Sequence, residues 1–379
     1  MFAATMTTRN KLLIPANLKQ NNLDLLRQLL AIFVLYSHCY IIFFGTMDRE
    51  PVKIFSGGQT ELGTLSVYCF FIISGFLIVR SFQNSKSRAG YFNKRLLRIV
   101  PGFVVAVLAS VFIAGPLGTT DAAFAAEPSK DYFSSLPLPR FAVELVTLQM
   151  PEISFAFNTL PVPGVPNGSL WTIQHEVLCY LAVPLLAAIG LFRKKYLLPV
   201  AFVLAFGTML LLQLPQLAYY HYVDTHLVNF PGYLPTFLVY FLAGAFCYLK
   251  RESLVRRKWL AIAAILLIAI TARFGGFNIV FPFAGTYLLF YIAFHPTILY
   301  PHFARRGDLS YGTYLYAWPV QQLVLFYFGA ALHFNLFFIL SLAFTLVVAW
   351  LSWHLVERPF LQLKKAPQVK PAPLPHAVA

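Results

Sequence analysis

The chain has 379 residues, of which 59% are hydrophobic and only 11% are charged, and its mean hydropathy is +0.68. This composition excludes an ordinary soluble domain, because so apolar a surface needs the bilayer as its solvent. The net charge of +15 does not indicate nucleic-acid binding, since the basic clusters lie in short connections between apolar segments, where they orient a membrane protein.

Apolar windows long enough to cross a hydrocarbon core of roughly 30 Å predict an all-α, polytopic membrane protein with about ten transmembrane helices. These spans divide the chain into an N-terminal segment 1–22, a transmembrane domain 23–357 and a C-terminal tail 358–379. The predicted spans, in chain order, are 23–44, 65–80, 97–115, 170–190, 196–214, 233–248, 259–271, 279–299, 311–329 and 336–356.

Positive charge predicts the orientation of the spans. Of the 29 lysines and arginines, five lie in the odd-numbered connections, and the other 24 lie at the termini, in the even-numbered connections or at span edges facing them. Because cytoplasmic loops carry the excess of basic residues, both termini are predicted to be cytoplasmic. The five exceptions are Arg49, Lys53, Lys130, Arg140 and Arg273.

One long connection, 116–168, is predicted to lie outside the cell membrane. Its middle, 141–148, is apolar enough for a short helix on the membrane or re-entering it. Loops of this length in compact proteins are often functional, so this connection is a candidate cover for an external cavity.

The four cysteines lie far apart within apolar runs and lack the C-x-x-C spacing of a metal site. They are interpreted as small buried hydrophobic residues, and neither a disulfide framework nor a bound metal is expected.

The first span contains two ionisable residues, Arg27 and His38, separated by eleven positions. That separation is close to three full turns, so both lie on one stripe of the helix with His38 about 16 Å deeper. One interpretation makes Arg27 a snorkelling anchor and His38 a packed, hydrogen-bonded residue. The other is a polar channel from the cytoplasm to mid-membrane, with the imidazole of His38 as a general base.

The fourth span begins outside near Trp171 and carries Glu176 about 8 Å further in, at a predicted depth close to that of His38. Tyr180 lies four residues later and shares the stripe of Glu176. Intramembrane carboxylates often mark substrate or proton pathways, although a neutral carboxylic acid bonding across helices would also explain Glu176.

A basic stretch precedes the third span and includes Arg95 and Arg98, which lie three residues apart. Their guanidinium groups can therefore converge on one anion from one helix face. Anchoring at the cytoplasmic surface would explain the number of charges, but it does not require this paired spacing.

Six motifs in chain order, covering nearly the whole chain, resemble those of the acyltransferase-3 family of bacterial membrane O-acyltransferases. They are R-x10-H at Arg27 and His38, F-F-x-x-S-G-F-L at 70–77, R-x-x-R with a following proline at Arg95, Arg98 and Pro101, S-L-W with E-x-x-x-Y at Ser169, Leu170, Trp171, Glu176 and Tyr180, S-Y with Y-L at Ser310, Tyr311, Tyr314 and Leu315, and E-R-P at Glu357, Arg358 and Pro359.

The chain departs from the family pattern in the ninth span. Many members have His-x-Pro after the Tyr-Leu pair, whereas this chain has Ala317, Trp318 and Pro319. The departure argues against a ninth-span histidine and leaves His38 as the better candidate for the general base.

The resemblance implies a multi-pass enzyme of the bacterial inner membrane that moves an acyl group, usually acetyl, from cytoplasmic acyl-CoA to a hydroxyl of an envelope or exported carbohydrate. The donor is a substrate, so no permanently bound cofactor is implied, and separate glycan-assembly proteins are possible partners. The implied site has His38, Arg27 and Glu176 as catalytic residues, Arg95 and Arg98 as donor-binding residues, and Tyr180, Trp171 and Tyr311 as substrate-positioning residues.

Two other classes of protein stay open at this point. A proton-coupled transporter or flippase of a glycan precursor would also place Arg, His and Glu within the membrane. It would predict an internal repeat with paired broken helices, and the two halves of the chain show no convincing match. A non-catalytic structural protein does not explain three ionisable residues at related depths.

Overall fold

The computed structural model describes residues 12–18, 20–125, 130–192, 194, 196–214, 228, 230–296, 300, 303–329 and 331–363. Over these residues the fold is all-helical, and the one extended pairing is an isolated bridge between Leu12 and Val255. The helices are α1 (Leu23–Phe44), α2 (Pro51–Phe55), α3 (Leu62–Gln83), α4 (Arg88–Ala109), α5 (Leu138–Thr147), α6 (Trp171–Ala188), α7 (Leu197–Leu212), α8 (Leu234–Leu249), α9 (Lys258–Phe274), α10 (Phe277–Ala293), α11 (Ser310–Phe328), α12 (Phe334–Ser352) and α13 (Arg358–Gln362).

A helix occupies each of the ten segments predicted as spans. Five of the helical segments in the described ranges are long and apolar enough to cross a membrane. Two shorter apolar helices, α7 and α10, join them. The all-helical membrane architecture therefore agrees with the sequence, while the number of crossings and the side of the termini stay predictions. The five long segments are Leu23–Phe44, Leu62–Gln83, Arg88–Leu117, Pro231–Leu249 and Phe334–Gln362.

The third predicted span is the apolar part of a longer helix. Helix α4 begins at Arg88, where the Ser87 hydroxyl accepts a hydrogen bond from the Gly90 N–H at 3.0 Å. A π turn, Ser110–Ala114, continues the helix to Leu117. Because the helix starts so early, Arg88, Lys94, Arg95 and Arg98 lie on its first three turns and are held in a fixed orientation.

The last helix likewise extends past its predicted end. A π turn, Trp353–Glu357, follows α12 and leads into α13, so the chain stays helical through Pro359 to Gln362. Pro359 has no N–H to donate, so it removes one backbone hydrogen bond from this continuous helical stretch directly after the π turn.

Helices α3 and α8 cross at unusually short distance through two glycines. A Cβ at Gly75 would lie 1.9 Å from the backbone oxygen of Phe241, and a Cβ at Gly244 would lie 1.9 Å from that of Ile72. Small residues allow such close backbone approach between membrane helices. The glycine of the F-F-x-x-S-G-F-L motif is therefore explained by packing.

Helices α1 and α11 are joined by buried glutamines. The Gln28 amide donates to the Thr313 hydroxyl at 3.1 Å, and the Gln321 amide donates to the Leu35 carbonyl at 2.8 Å. Buried amides are stable only when they are hydrogen-bonded, so these contacts fix the register of the two helices. Helix α1 ends at Gly45, which adopts φ +72° and donates its N–H to the Ile41 carbonyl.

The long connection contains the helix expected near 141–148, observed as α5. Arg140 pairs with Glu144 at 2.7 Å across one turn, while Val143 and Val146 are exposed. An apolar exposed edge of this kind suits the surface of a bilayer. Its position relative to the membrane stays a prediction.

Candidate functional site: two cavities that meet inside the bundle

Arg27, Arg95 and Arg98 line one cavity, which has about 890 Å³ of empty space including its opening to solvent. We call it the arginine cavity and define it by Arg27 of α1, Ser74 of α3, Arg95 and Arg98 of α4, Glu176 and Tyr180 of α6, and Tyr311 of α11.

The arginine cavity lies at one end of the helical bundle. It is lined by residues from the starts of α1 and α11, from the middle of α3 and α4, and from the first half of α6. Antiparallel neighbours bring these parts to the same side. If α1 begins in the cytoplasm as predicted, the arginine cavity is at the cytoplasmic end.

A carboxylate that the sequence analysis missed holds two of the arginines. Asp308, which is 13% exposed, lies 3.0 Å from Arg27 and 2.5 Å from Arg98, both to the same oxygen, Oδ2. Its other oxygen accepts hydrogen bonds from the backbone N–H and hydroxyl of Ser310. Burial alone would raise the pKa of Asp308, but the two guanidinium groups hold it well below its usual range.

The signal for Asp308 was present in the sequence. It is an isolated acid two residues before the Ser310-Tyr311 motif, in a segment that otherwise carries Arg305 and Arg306. Charge balance of this kind indicates a specific partner for a cation, but the partners come from α1 and α4, more than 200 residues earlier.

Arg95 is less committed than Arg98. One of its terminal nitrogens donates to the Ser81 hydroxyl at 3.3 Å, and its Nε has no hydrogen-bond partner among the described residues. Arg98 in contrast is ion-paired with Asp308 and lies 5.9 Å from the centre of the Tyr311 ring. Arg95 is therefore the cation best able to take a new anionic partner.

Glu176 lies in the arginine cavity and not beside His38. Its Oε1 accepts hydrogen bonds from the Ser74 hydroxyl at 2.8 Å and from the hydroxyl of Tyr180, its neighbour at i+4. The predicted similarity in depth therefore does not bring Glu176 into contact with the histidine. The catalytic role given to it stays a prediction.

Tyr311 is positioned by a glycine on the facing helix. A Cβ at Gly102 would lie 2.6 Å from the Tyr311 ring, so only glycine leaves room for it there. The Tyr311 hydroxyl donates to the Ile99 carbonyl at 2.8 Å. The ring thereby ties α11 to α4 next to Arg98.

His38 lines a second cavity, with about 970 Å³ of empty space. Its residues come from the later half of α1, the starts of α3, α6 and α8, and the middle of α11, so this cavity lies toward the opposite end of the bundle. We call it the histidine cavity and define it by Ser37, His38, Glu61, Ser169, Trp171 and Trp318.

The histidine cavity combines aromatic rings with polar atoms that lack internal partners. Ser37 Oγ, His38 Nδ1 and Ser169 Oγ are buried and have no hydrogen-bond partner among the described residues. The His38 ring packs edge-on against Trp318, with ring centres 5.0 Å apart. Because these atoms line a cavity, a ligand that enters it can complete their hydrogen bonds, which makes the histidine cavity a candidate ligand site.

The neighbouring histidine of the fourth span differs from His38. The two ring nitrogens of His175 lie 3.2 and 3.3 Å from the carbonyl oxygens of Trp171 and Phe230, and the ring is fully buried. These contacts give His175 a structural role, in contrast to His38, whose Nδ1 is unpaired among the described residues.

The two cavities have three residues in common: Val67, Thr172 and Tyr314. The hydroxyl groups of Thr172 and Tyr314 share a hydrogen bond of 2.5 Å. Arg27 and His38, although on one stripe of α1, are therefore separated by a narrow partition between two adjoining cavities.

The cysteines and metal ligands contribute nothing further within the described ranges. The four cysteines are free and buried, and no cluster of three or more His, Cys, Asp or Glu residues suited to a metal ion occurs in the part of the chain that the structure describes.

Comparison with curated proteins finds two relatives that match nearly end to end. One is named "O-acetyl transferase", from Shigella phage Sf6, and is 28% identical over 352 residues, which is 90% of this chain and 96% of the relative. The other is "Nodulation protein 10" of Rhizobium leguminosarum bv. viciae, 29% identical over 376 residues, or 91% of this chain and 94% of the relative.

No solved structure matches the chain. The sequence model of the acyltransferase domain, in contrast, matches residues 20–354, which include both cavities and all of the candidate site residues. The motif resemblance is thereby confirmed: this chain belongs to the acyltransferase-3 family and is a membrane acyltransferase.

Proposed function

We propose that the chain is an inner-membrane O-acetyltransferase of a bacterial envelope. Acetyl-CoA would bind in the arginine cavity, and a carbohydrate hydroxyl in the histidine cavity would receive the acetyl group. The observation that carries this proposal is the adjoining of a cationic cavity and a histidine cavity at Val67, Thr172 and Tyr314. The name of the phage relative, an O-acetyl transferase, supports acetyl as the group transferred.

The arginine cavity suits the anionic end of coenzyme A. Arg27, Arg95 and Arg98 supply three positive charges, two of them paired with Asp308. Charge-assisted hydrogen bonds from guanidinium groups favour phosphate oxygens. The long pantetheine arm of the donor can then carry the thioester toward the partition.

His38 supplies the general base. Its unpaired Nδ1 would take the proton of the acceptor hydroxyl as the oxygen attacks the thioester carbonyl. Collapse of the tetrahedral intermediate breaks the carbon–sulfur bond, and the proton passes from the imidazole to the departing thiolate. The products are the acetyl ester and coenzyme A.

The histidine cavity suits a sugar as the acceptor. Trp171 and Trp318 present aromatic rings, which pack against the apolar faces of sugar rings, and the hydroxyl groups of Ser37 and Ser169 can exchange hydrogen bonds with sugar hydroxyls. Trp171 thereby keeps the substrate-positioning role given to it from the sequence.

The remaining candidates act on the donor side. Tyr180 and Glu176 form one hydrogen-bonded unit with Ser74 beside the arginines, so they would position the thioester arm. Tyr311 would hold Arg98 in place through its contact with the guanidinium group. Arg27 would orient the donor together with Arg98, through their shared carboxylate.

The test is binding and turnover of acetyl-CoA by the purified full-length protein in detergent. We expect saturable binding by calorimetry, release of coenzyme A thiol, and loss of O-acetyl groups from surface glycans, seen by mass spectrometry, when the gene is deleted. A transporter or flippase would export its glycan without binding acetyl-CoA or changing glycan acetylation. That result would contradict the proposal.

A further inference from the structure

We infer that Thr172 and Tyr314 form a seal between the two cavities, and that this seal determines whether the donor thioester reacts with the acceptor hydroxyl or with water. The inference rests on the proposed function, since it assumes that acetyl-CoA occupies the arginine cavity.

The geometry places the seal between the two sites. Thr172 on α6 and Tyr314 on α11 are 5% and 8% exposed, and both line both cavities. Their hydrogen bond joins the two helices across the space between Arg27 and His38. The Tyr314 ring also packs edge-on against Phe70 of α3, with ring centres 6.0 Å apart. Three helices thus meet at this partition.

The seal has to open during transfer. The arginines that suit the donor phosphates lie on one side of it, and the proposed base, His38, lies on the other. A thioester can reach His38 only if the hydroxyl pair separates and the Tyr314 side chain turns aside. While the pair is bonded, the thioester stays in the arginine cavity, away from the base.

If the seal opens before an acceptor is bound, the donor thioester is exposed to hydrolysis. If the thioester enters the histidine cavity without an acceptor, His38 can take a proton from water, whose oxygen then bonds to the carbonyl carbon. The carbon–sulfur bond breaks, and the proton passes to the thiolate. Acetate and coenzyme A result, so the donor is consumed without transfer.

Two conservative variants remove the hydrogen bond from opposite sides. Thr172→Val keeps the shape of the side chain without the hydroxyl, and Tyr314→Phe keeps the ring. A neutral hydrogen bond of this kind shifts an open–closed equilibrium by about two- to tenfold. In purified full-length protein given acetyl-CoA alone, we expect coenzyme A release to rise by that factor in each variant, with acetyl-CoA affinity unchanged.

The double variant and a third substitution identify the path. Because both changes break one bond, the double variant should release coenzyme A no faster than the faster single variant. Adding His38→Gln to Thr172→Val should abolish the increase, since hydrolysis would need the base of the histidine cavity. Thr345→Val is the matched control: Thr345 is a buried threonine of α12 that lines neither cavity, and its hydroxyl has no partner among the described residues.

The outcomes separate the seal from the proposed function. Unchanged coenzyme A release in a monodisperse Thr172→Val or Tyr314→Phe protein that binds acetyl-CoA normally would overturn the seal alone. So would a rise of equal size in Thr345→Val, or a rise that persists after His38→Gln. Failure of the parent protein to bind acetyl-CoA would overturn the proposed function and the seal with it.

Discussion

The two cavities differ in how much of their polarity is already satisfied within the protein. In the arginine cavity, Arg27 and Arg98 share Asp308, and Glu176 accepts bonds from Ser74 and Tyr180, which leaves Arg95 Nε as the cavity's one buried unpaired atom among the described residues. In the histidine cavity, Ser37, His38 and Ser169 each leave a buried atom unpaired among the described residues.

This difference suits two kinds of ligand. Buried cations need a counter-charge at all times, because an unpaired buried charge is very costly. Arg27 and Arg98, which are paired with Asp308, are therefore oriented before the donor binds, while Arg95 keeps a site for a new anion. Neutral hydroxyl and imidazole groups carry a smaller penalty, so they can stay open for an acceptor whose hydroxyls complete their hydrogen bonds.

The largest effect is expected from substitutions of His38 in the histidine cavity. His38→Ala and His38→Gln should both reduce transfer by roughly 10²–10⁴-fold, because neither variant can accept the acceptor proton at neutral pH. Acetyl-CoA affinity should be unchanged, since the donor binds in the other cavity. Transfer rates and calorimetric binding on the same preparations provide the measurement.

His175→Gln is the control for that experiment. Its ring nitrogens lie beside two backbone carbonyls, one of which accepts the ring N–H, so the substitution should lower protein yield or thermal stability while each folded molecule keeps its activity. Substantial transfer by well-folded His38→Gln protein would refute the general-base assignment and direct attention to Glu176.

The second prediction concerns Arg95 in the arginine cavity. Arg95→Lys keeps a positive charge but loses the guanidinium fork, so acetyl-CoA affinity should fall by about 10- to 100-fold, the equivalent of one hydrogen bond to a charged group. Arg88→Lys is the matched control, because Arg88 is exposed on the first turn of the same helix and does not line the cavity. Equal acetyl-CoA affinities for Arg95→Lys and Arg88→Lys would show that Arg95 only anchors the helix at the membrane surface.

The third prediction concerns α3, one of the helices that line both cavities. Gly75→Ala should lower the free energy of unfolding in detergent by about 1–3 kcal/mol, and with it the melting temperature, because the new methyl group overlaps the Phe241 backbone. Gly207→Ala, on α7, has nothing within 4 Å of the new Cβ and should be neutral or slightly stabilising. Equal melting temperatures for the two variants would show that α3 and α8 are not packed this closely.

The smallest expected effect sharpens the role of Asp308. Asp308→Asn keeps the size of the side chain but removes the charge that orients Arg27 and Arg98, so acetyl-CoA affinity should fall by roughly three- to tenfold, about 0.6–1.4 kcal/mol. Asp308→Glu, which retains the charge, should recover part of the loss. Equal acetyl-CoA affinities for the parent protein, Asp308→Asn and Asp308→Glu would show that Asp308 does not contribute to donor binding.

The pH dependence of that contact follows from the direction of the shift. Because the pKa of Asp308 is lowered in the folded protein, its ion pairs stabilise the fold above the unfolded-state pKa and are lost only as pH falls through the folded value. Acetyl-CoA affinity should therefore show no step from Asp308 between about pH 5 and pH 8. A step present in the parent protein and absent from Asp308→Asn would contradict the lowered pKa.

The sequence predicted the helices well because apolar length is a local property. The segment 23–44 was found with its boundaries, and the motif glycine Gly75 acquired a packing reason only in three dimensions. Periodicity predicted one stripe for Arg27 and His38, but it could not show that the two residues line different cavities.

The missed features depend on contacts distant in sequence. Asp308 meets its arginines from more than 200 residues away, and Thr172 meets Tyr314 across 142 residues. Depth along the helix axis also misled the placement of Glu176, because residues at similar depth can face different cavities. Facing direction depends on how neighbouring helices pack.

The central claim, that the two cavities lie at opposite faces of the membrane, is tested most directly by cysteine labelling on α3. Leu77→Cys lies in the arginine cavity and Thr64→Cys in the histidine cavity, about 20 Å apart along one helix. The four native cysteines are buried, so the parent chain serves as the background. With a membrane-impermeant thiol reagent and sealed vesicles of known orientation, Leu77→Cys should react only from the cytoplasmic face and be protected by acetyl-CoA. Thr64→Cys should react only from the outer face, without protection. Labelling of both positions from the same face, or protection of Thr64→Cys instead of Leu77→Cys, would contradict the two-cavity account.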